Sequence, residues 1–156
     1  MRRADGMRLG RLSITSPDIG NLAPIADAFT ADGGQRAPRL DISGVPDSAV
    51  ELAVICHDPD APLPNGFTHW VIYGIDPGAT TMDTSAPGVR VGPNGTGRRD
   101  WFGPQPPPGH GIHHYYFWVY ALDRPVHGTP TREEFLRDHA DAVIEQARFV
   151  GLFERR

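Results

Sequence analysis

The sequence predicts a mainly β protein, a mostly antiparallel β sandwich with one helix packed on it. Three observations carry that expectation. Short runs of branched and aromatic residues alternate with turn residues along most of the chain. Glycine and proline number 18 and 16 in 156 residues, which favours many turns over long helices. Helical spacing of apolar residues stands out in one place, near the C-terminus.

The elements follow in chain order. RLSITS (11–16) alternates apolar and polar residues, as a half-buried strand does. AVELAVIC (49–56) is apolar but for Glu51, rich in branched residues, and ends at a His-Asp-Pro turn. FTHWVIYGI (67–75) and HHYYFWVYAL (113–122) are rich in β-branched and aromatic residues, the usual strand composition. Between them, from about Asp76 to Gly111, lies an irregular Gly/Pro-studded segment. A loop of that length is functional or holds short, weak strands. Thr131 and Glu134 form a capping box with Pro130 just ahead. Leu136, Ala140, Val143, Ile144 and Ala147 continue at helical spacing, with Gly151 as the stop. Residues 1–156 are expected to form a single domain, with 1–6 a flexible polar tail and Met7 an alternative start.

Composition narrows the function. Fifteen basic residues, all arginine, against 19 acidic ones give a net charge of −4, so no broad positive field attracts nucleic acid. Cys56 is the single cysteine, which excludes an internal disulfide and fits a reducing compartment. No apolar run approaches the roughly 18 residues of a membrane span, and no apolar leader core is present. The expected location is the cytoplasm.

Two stretches carry chemistry. The first is HDPDAPLPNGFTHW (57–70). A residue before proline is pushed out of the helical region, so Asp58 and Ala61 are expected to be extended. Extended residues at i and i+2 point the same way, which would place the Asp58 and Asp60 carboxylates on one side. Carboxylates that close need a cation nearby or one proton between them, and His69 is a candidate cation. The plainer reading is an Asx turn, with the aspartates capping backbone amides around the prolines. It is the better reading for Asp60, while for Asp58 the two stand level. His69 by itself reads as a core histidine, and His57 as incidental.

The second stretch, WFGPQPPPGHGIHHYYFWVYAL (101–122), joins a rigid Pro/Gly loop to a strand. Alternation puts His113, Tyr115, Phe117 and Val119 on one face and His114, Tyr116, Trp118 and Tyr120 on the other. His113 and Tyr115 then project together where loop meets sheet, and an imidazole beside a phenol can donate to an anion. Alone, the pattern reads better as an aromatic core strand with a histidine at its frayed edge. Trp101 and Phe102 read as loop plugs or as an apolar rim, and His110 as solvent-exposed.

Together these segments resemble the phosphatidylethanolamine-binding protein family, which includes Raf kinase inhibitor proteins and their bacterial relatives. The resemblance rests on Asp58-Pro59-Asp60-Ala61-Pro62 with His69 downstream, and on the run from Gly103 to Tyr115. APRLDISGVPDSAVELAVI looks like the family's entry to its central sheet, and REEFLRDHADAVIEQARFVGLFER like its C-terminal helical region. The resemblance implies a β sandwich with a large antiparallel sheet, short flanking helices and a C-terminal helix. It also implies a small anion pocket built from Asp58, His69, Pro107, His113 and Tyr115, with Asp60 next to it. The implied ligand is phosphate- or phosphoethanolamine-like, with no cofactor and no metal. A homodimer is expected from bacterial relatives, with a regulatory role that would need a protein partner this sequence does not name. Three departures stand out: Ile42 where the family often has Trp, Gln105 where bacterial relatives often have Cys, and His114 in place of the usual Arg. Arginine is permanently charged and histidine is not, so an acidic group paired at position 114 has a pH-dependent partner here.

On this reading Asp58 holds His69 and His113 partly protonated, and both hydrogen-bond the anion. Tyr115 adds a neutral donor, and the Pro107 loop walls off water. The chain reads as a binding protein rather than an enzyme. The alternative is acid–base catalysis of the cyclase or hydrolase type by Asp58, His69, His113 and Tyr115. No Ser or Cys nucleophile accompanies them. A two-histidine, one-carboxylate metal set from Asp58, His69 and His113 is the third class.

Overall fold

The computed structural model describes residues 10–156, so the expected tail and the alternative start at Met7 lie outside the described residues. Its centre is strand β4 (Glu51–Asp58), buried at every position. Leu52, Val54 and Cys56 face one apolar core, while Ala53 and Ile55 face a second. A strand buried on both faces has no solvent-facing side to alternate with, hence the unbroken apolar stretch Leu52–Cys56.

Around it are β1 (Ser13–Thr15), β2 (Ala23–Pro24), β3 (Asp41–Ser43), β5 (Phe67–Ile75), β6 (Arg90–Val91), β7 (His113–Leu122) and β8 (Val143–Phe153). The large sheet runs β2-β8-β7-β4-β5-β6, and β1 pairs with β3 in a separate two-stranded sheet. Every pairing is antiparallel except that of β2 with β8. The small sheet contributes Ile14 and Ile42 to the first core. The helix α1 (Arg132–His139) covers the other face through Phe135, which packs on Tyr73 and Tyr120 at ring-centroid distances of 5.6 and 5.2 Å.

The strands at 67–75 and 113–122 have the expected bounds. The long irregular segment contains one short strand, β6. The capping box is present, with Thr131 and Glu134 exchanging both hydrogen bonds. The helix, however, is much shorter than its apolar spacing suggested. It ends at His139, passes through a 3₁₀ turn at Ala140–Ala142, and gives way to β8. Val143, Ile144 and Ala147 are therefore strand residues, and β8 pairs with β7 from Val143 to Phe153. The hydrogen-bond ladder to β7 outweighs a weak helical pattern whose β-branched members suit a strand equally well. Gly151 is not a helix stop. It lies opposite Tyr115, where a Cβ would stand 2.8 Å from Ile25 and 3.0 Å from Ile19, so only glycine fits without movement.

Candidate functional site

Strand β4 is antiparallel to both its neighbours, so its C-terminal end meets the N-terminal ends of β5 and β7. That topology brings Asp58, the last residue of β4, beside the start of β5 just downstream and beside the start of β7, far away in sequence. A cavity of about 350 Å³ opens there. Asp58, His69, Pro107, His113 and Tyr115 all line it.

His69 reaches the cavity through an irregularity. Cys56 pairs with Trp70, but His57 pairs with Thr68, so β5 has one extra residue at this step. Without that bulge, His69 would share a face with Val71 and Tyr73 under the helix. A bulge re-aims one side chain, here toward Asp58's face of the sheet. The other residues obey the pleat. His113 and Tyr115 are buried on the cavity face, and His114 and Tyr116 are half-exposed on the opposite one.

The central contact is between buried side chains: His113 Nδ1 lies 2.6 Å from Asp58 Oδ2. Asp58 Oδ1 accepts from the Asp60 backbone N–H at 2.7 Å, an Asx turn across Pro59. Burial raises the Asp58 carboxyl above its ordinary value, against the pull of its hydrogen bond to His113. On its far side His113 Nε2 lies 2.6 Å from His110 Nδ1, and a contact of that kind holds one proton. Buried carboxylate, buried imidazole and exposed imidazole thus form a chain from the sheet to the surface. His110, expected to be simply exposed, has an exposed position but places its ring over His113.

His69 differs from the expectation. It makes no ion pair with Asp58; its Nδ1–H donates to the Phe102 carbonyl at 2.5 Å. Burial lowers its pKa to about 4, so the ring is neutral at ordinary pH. With Nδ1 carrying the proton, Nε2 is an acceptor rather than a donor. Tyr115 keeps its phenol proton as well, since burial and then the nearby Asp58 push its pKa well up. Among the described residues neither His69 Nε2 nor Tyr115 Oη has a hydrogen-bond partner, and no buried polar side-chain atom lacks one. Both atoms therefore open onto the cavity.

Asp60 is not in the cavity wall. Its Oδ2 accepts from both the backbone N–H and the ring Nδ1 of His114, each at 2.7 Å. The two aspartates therefore face different partners rather than one ligand. Burial pushes the Asp60 carboxyl up, but the His114 hydrogen bonds outweigh it and leave the pKa lowered. His114, where the family usually has Arg, does turn away from the cavity, and Asp60 is its acidic partner.

The walls are apolar and come partly from residues the sequence did not single out: Pro62, Leu63, Phe67 and Pro106, with Thr96 and Gln105 as polar exceptions. Leu63 had a signal, an apolar side chain among prolines in a turn. Phe67 needed the bulge, and Thr96 had none. Phe102 forms part of the rim, while Trp101 is a plug, donating to the Phe29 carbonyl at 3.0 Å inside the first core. His57 lies on the opposite face, bonded to Thr68 Oγ1 at 3.0 Å. The Pro/Gly loop is tied down by the Gly103 N–H to Gln35, Gln105 to Asp32, and the Gly109 N–H to the Arg155 carbonyl. Among the described residues no group of three or more His, Cys, Asp or Glu is arranged to hold a metal.

Comparison with known proteins agrees with this architecture. The family model described as phosphatidylethanolamine-binding protein matches residues 15–154. A UPF0098 protein of Pyrococcus horikoshii is 37% identical over 149 residues, covering 88% of this chain and 74% of its own length. LppC of Mycobacterium tuberculosis, which bears a lipoprotein name, is 41% identical over 147 residues, covering 92% of this chain and 72% of its own. The crystal structure of E. coli YbcL, described as a member of the mammalian family, superposes with a TM-score of 0.87 at 27% identity. It covers 94% of this chain and all (100%) of that one. The family model and the full-length structural match cover nearly all of the described residues, and the chain belongs to the phosphatidylethanolamine-binding protein family.

Proposed function

We propose that this protein binds a small anion, phosphate- or phosphoethanolamine-like, in the cavity at the end of the large sheet. The observation that carries the reading is the buried Asp58–His113 pair at 2.6 Å, in a cavity that Tyr115 also lines. Asp58 orients the His113 ring through Nδ1, which aims Nε2 at the anion as a donor once His110 moves aside. Tyr115 supplies a second, neutral donor. His69 serves as an acceptor for a ligand hydroxyl or a bound water, a role its hydrogen bond to Phe102 supports. Asp60 fixes the loop rather than touching the ligand. The whole chain acts as one domain on this reading, in the cytoplasm and as a homodimer, with any regulatory role exerted through a protein partner. Cell fractionation and light scattering test those parts.

Titration calorimetry with phosphate and phosphoethanolamine tests the binding site. His113→Asn keeps a donor near the Nδ1 position for Asp58 and removes Nε2, so both anions should bind the variant at least about tenfold more weakly. Equal affinities for wild type and variant would refute the assignment.

The Asp58–His113–His110 chain favours a second reading, proton transfer in an enzyme of the cyclase or hydrolase type. Against nucleophilic chemistry, Cys56 is fully buried with its thiol pKa raised well above normal by burial, and Thr96 is the lone aliphatic hydroxyl in the wall. Turnover of a small anionic substrate that is lost in His113→Asn but survives His69→Gln would select this reading.

A further inference from the structure

We propose that His69 makes this site selective for a phosphoryl group that keeps one proton, as hydrogen phosphate or a phosphomonoester monoanion does, over an oxyanion that has none, such as sulfate. The proposal rests on the anion-binding reading above and adds the form of the anion and the residue that reads it.

The polar lining divides into donors and acceptors. His113 Nε2 donates once the ligand takes the place of His110, and the Tyr115 hydroxyl can donate or accept. His69 has no such freedom. Its Nδ1–H is taken by the Phe102 carbonyl at 2.5 Å, so Nε2 faces the cavity with a lone pair and no proton. The ring is 3% exposed. Phe67, Trp101, Phe102 and Tyr115 surround it at ring-centroid distances of 4.8, 6.3, 6.1 and 5.1 Å and hold its orientation.

The ring also stays uncharged. Burial lowers its pKa to about 4 against the pull of the Phe102 carbonyl, and His57 across the sheet and His113 add to the fall. Asp58, the carboxylate of the wall, is committed to His113 and the Asp60 N–H rather than to His69. The other polar groups of the wall add acceptors. Thr96 gives its hydroxyl proton to Asn94 Oδ1 at 2.6 Å, and Gln105 turns its amide nitrogen to Asp32 at 2.8 Å.

An anion bound between His113 and Tyr115 therefore meets a lone pair on His69. A P–OH group donates to that nitrogen and satisfies it. Sulfate has the shape of phosphate but no proton at ordinary pH, so it would set oxygen lone pairs against the nitrogen lone pair. A site built to hydrogen-bond a ligand hydroxyl rejects an analogue lacking it, because a buried polar group is left unpaired. Net charge is not what distinguishes the two, since hydrogen phosphate and sulfate are both dianions.

Titration calorimetry on the full chain with inorganic phosphate and sulfate, at a mildly alkaline pH where both are dianions, tests this. Phosphate should bind at least about tenfold tighter. Methyl phosphate supplies a second readout, because a monoester loses its P–OH above a pKa of about 6 while inorganic phosphate keeps one. Its affinity relative to inorganic phosphate should fall as pH rises through that value. Titration of Asp58, His113 or Tyr115 acts on both ligands alike and cancels in the ratio. His69→Gln puts an amide near the Nε2 position that can turn an N–H to the anion, so sulfate should gain and the preference for phosphate should be lost. His113→Asn should weaken both anions and keep the preference. Equal binding of phosphate and sulfate to wild type, with both weakened by His113→Asn, would refute the selectivity while the anion site stands. A preference undiminished in His69→Gln would overturn the role of His69. If neither anion binds, both readings fall. The wild-type comparisons need no variant, so a substitution that unfolds the chain leaves the proposal decided.

Discussion

His57 and His69 are the residues on which the protein's acid sensitivity should depend. Burial lowers each to about 4, whereas an exposed histidine in the unfolded chain titrates near 6.5. Between those values the unfolded state binds more protons, so their contribution is complete above about pH 6.5 and is lost as pH falls toward 4. The shifts correspond to about 3 kcal/mol for each ring. Asp58, raised by burial, has the opposite slope and offsets part of this. Calorimetric melting temperatures should therefore fall steadily from pH 7 to pH 4.5, and His69→Gln should show about half the decline. A profile indifferent to that substitution would mean the ring is charged in the folded protein. His110 makes a second residue-scale prediction. Its ring occupies the outward nitrogen of His113, so His110→Ala should raise phosphate affinity severalfold, and a fall would make His110 an anion contact instead.

At the scale of elements, α1 has eight residues, too few to be stable alone, and depends on its cap and one anchor. Thr131→Ala removes the hydroxyl that accepts from the Glu134 N–H, leaving the backbone N–H of residue 131 to donate to Glu134 Oε1, and should cost about 1 kcal/mol. Phe135→Ala removes the fully buried ring between Tyr73 and Tyr120 and should cost about 3–5 kcal/mol. Urea unfolding checks both, and similar values for the two would contradict the anchor role. The same region shows where sequence periodicity misleads. Leu136, Val143 and Ile144 share a helical stripe on paper, but Val143 and Ile144 belong to the longest strand. Thr131 and Glu134 were legible because a capping box is a local interaction between residues three apart. The end of the helix was not, because it is decided by pairing with β7, some twenty to forty residues earlier in the chain.

At the scale of the molecule, the site exists because a loop is pressed against a distant segment. A Cβ on Gly103 would lie 2.1 Å from the Phe29 carbonyl oxygen, a backbone atom that cannot rotate away. Gly103→Ala should lift the loop, destabilise the fold by about 1–3 kcal/mol and weaken anion binding. The melting temperature and calorimetry with phosphate measure the two effects together. Lower stability with unchanged affinity would show that the loop does not shape the pocket.

The sequence by itself determined a good deal. Strand composition, the capping box and the pleat are set by neighbouring residues, so β5, β7, the start of α1 and the pairing of His113 with Tyr115 could be read directly. The two motif stretches further named Asp58, His69, Pro107, His113 and Tyr115, all of which line the cavity. Only the tertiary structure decided how those residues act. The Phe102 carbonyl that fixes the His69 tautomer and the His114 that claims Asp60 are contacts between segments far apart in the chain, while the bulge that turns His69 and the His110 that covers His113 depend on how nearby segments fold back on each other. Protonation and hydrogen-bond direction follow from burial and from the partner that happens to face each group, and neither exists until the sheet has closed.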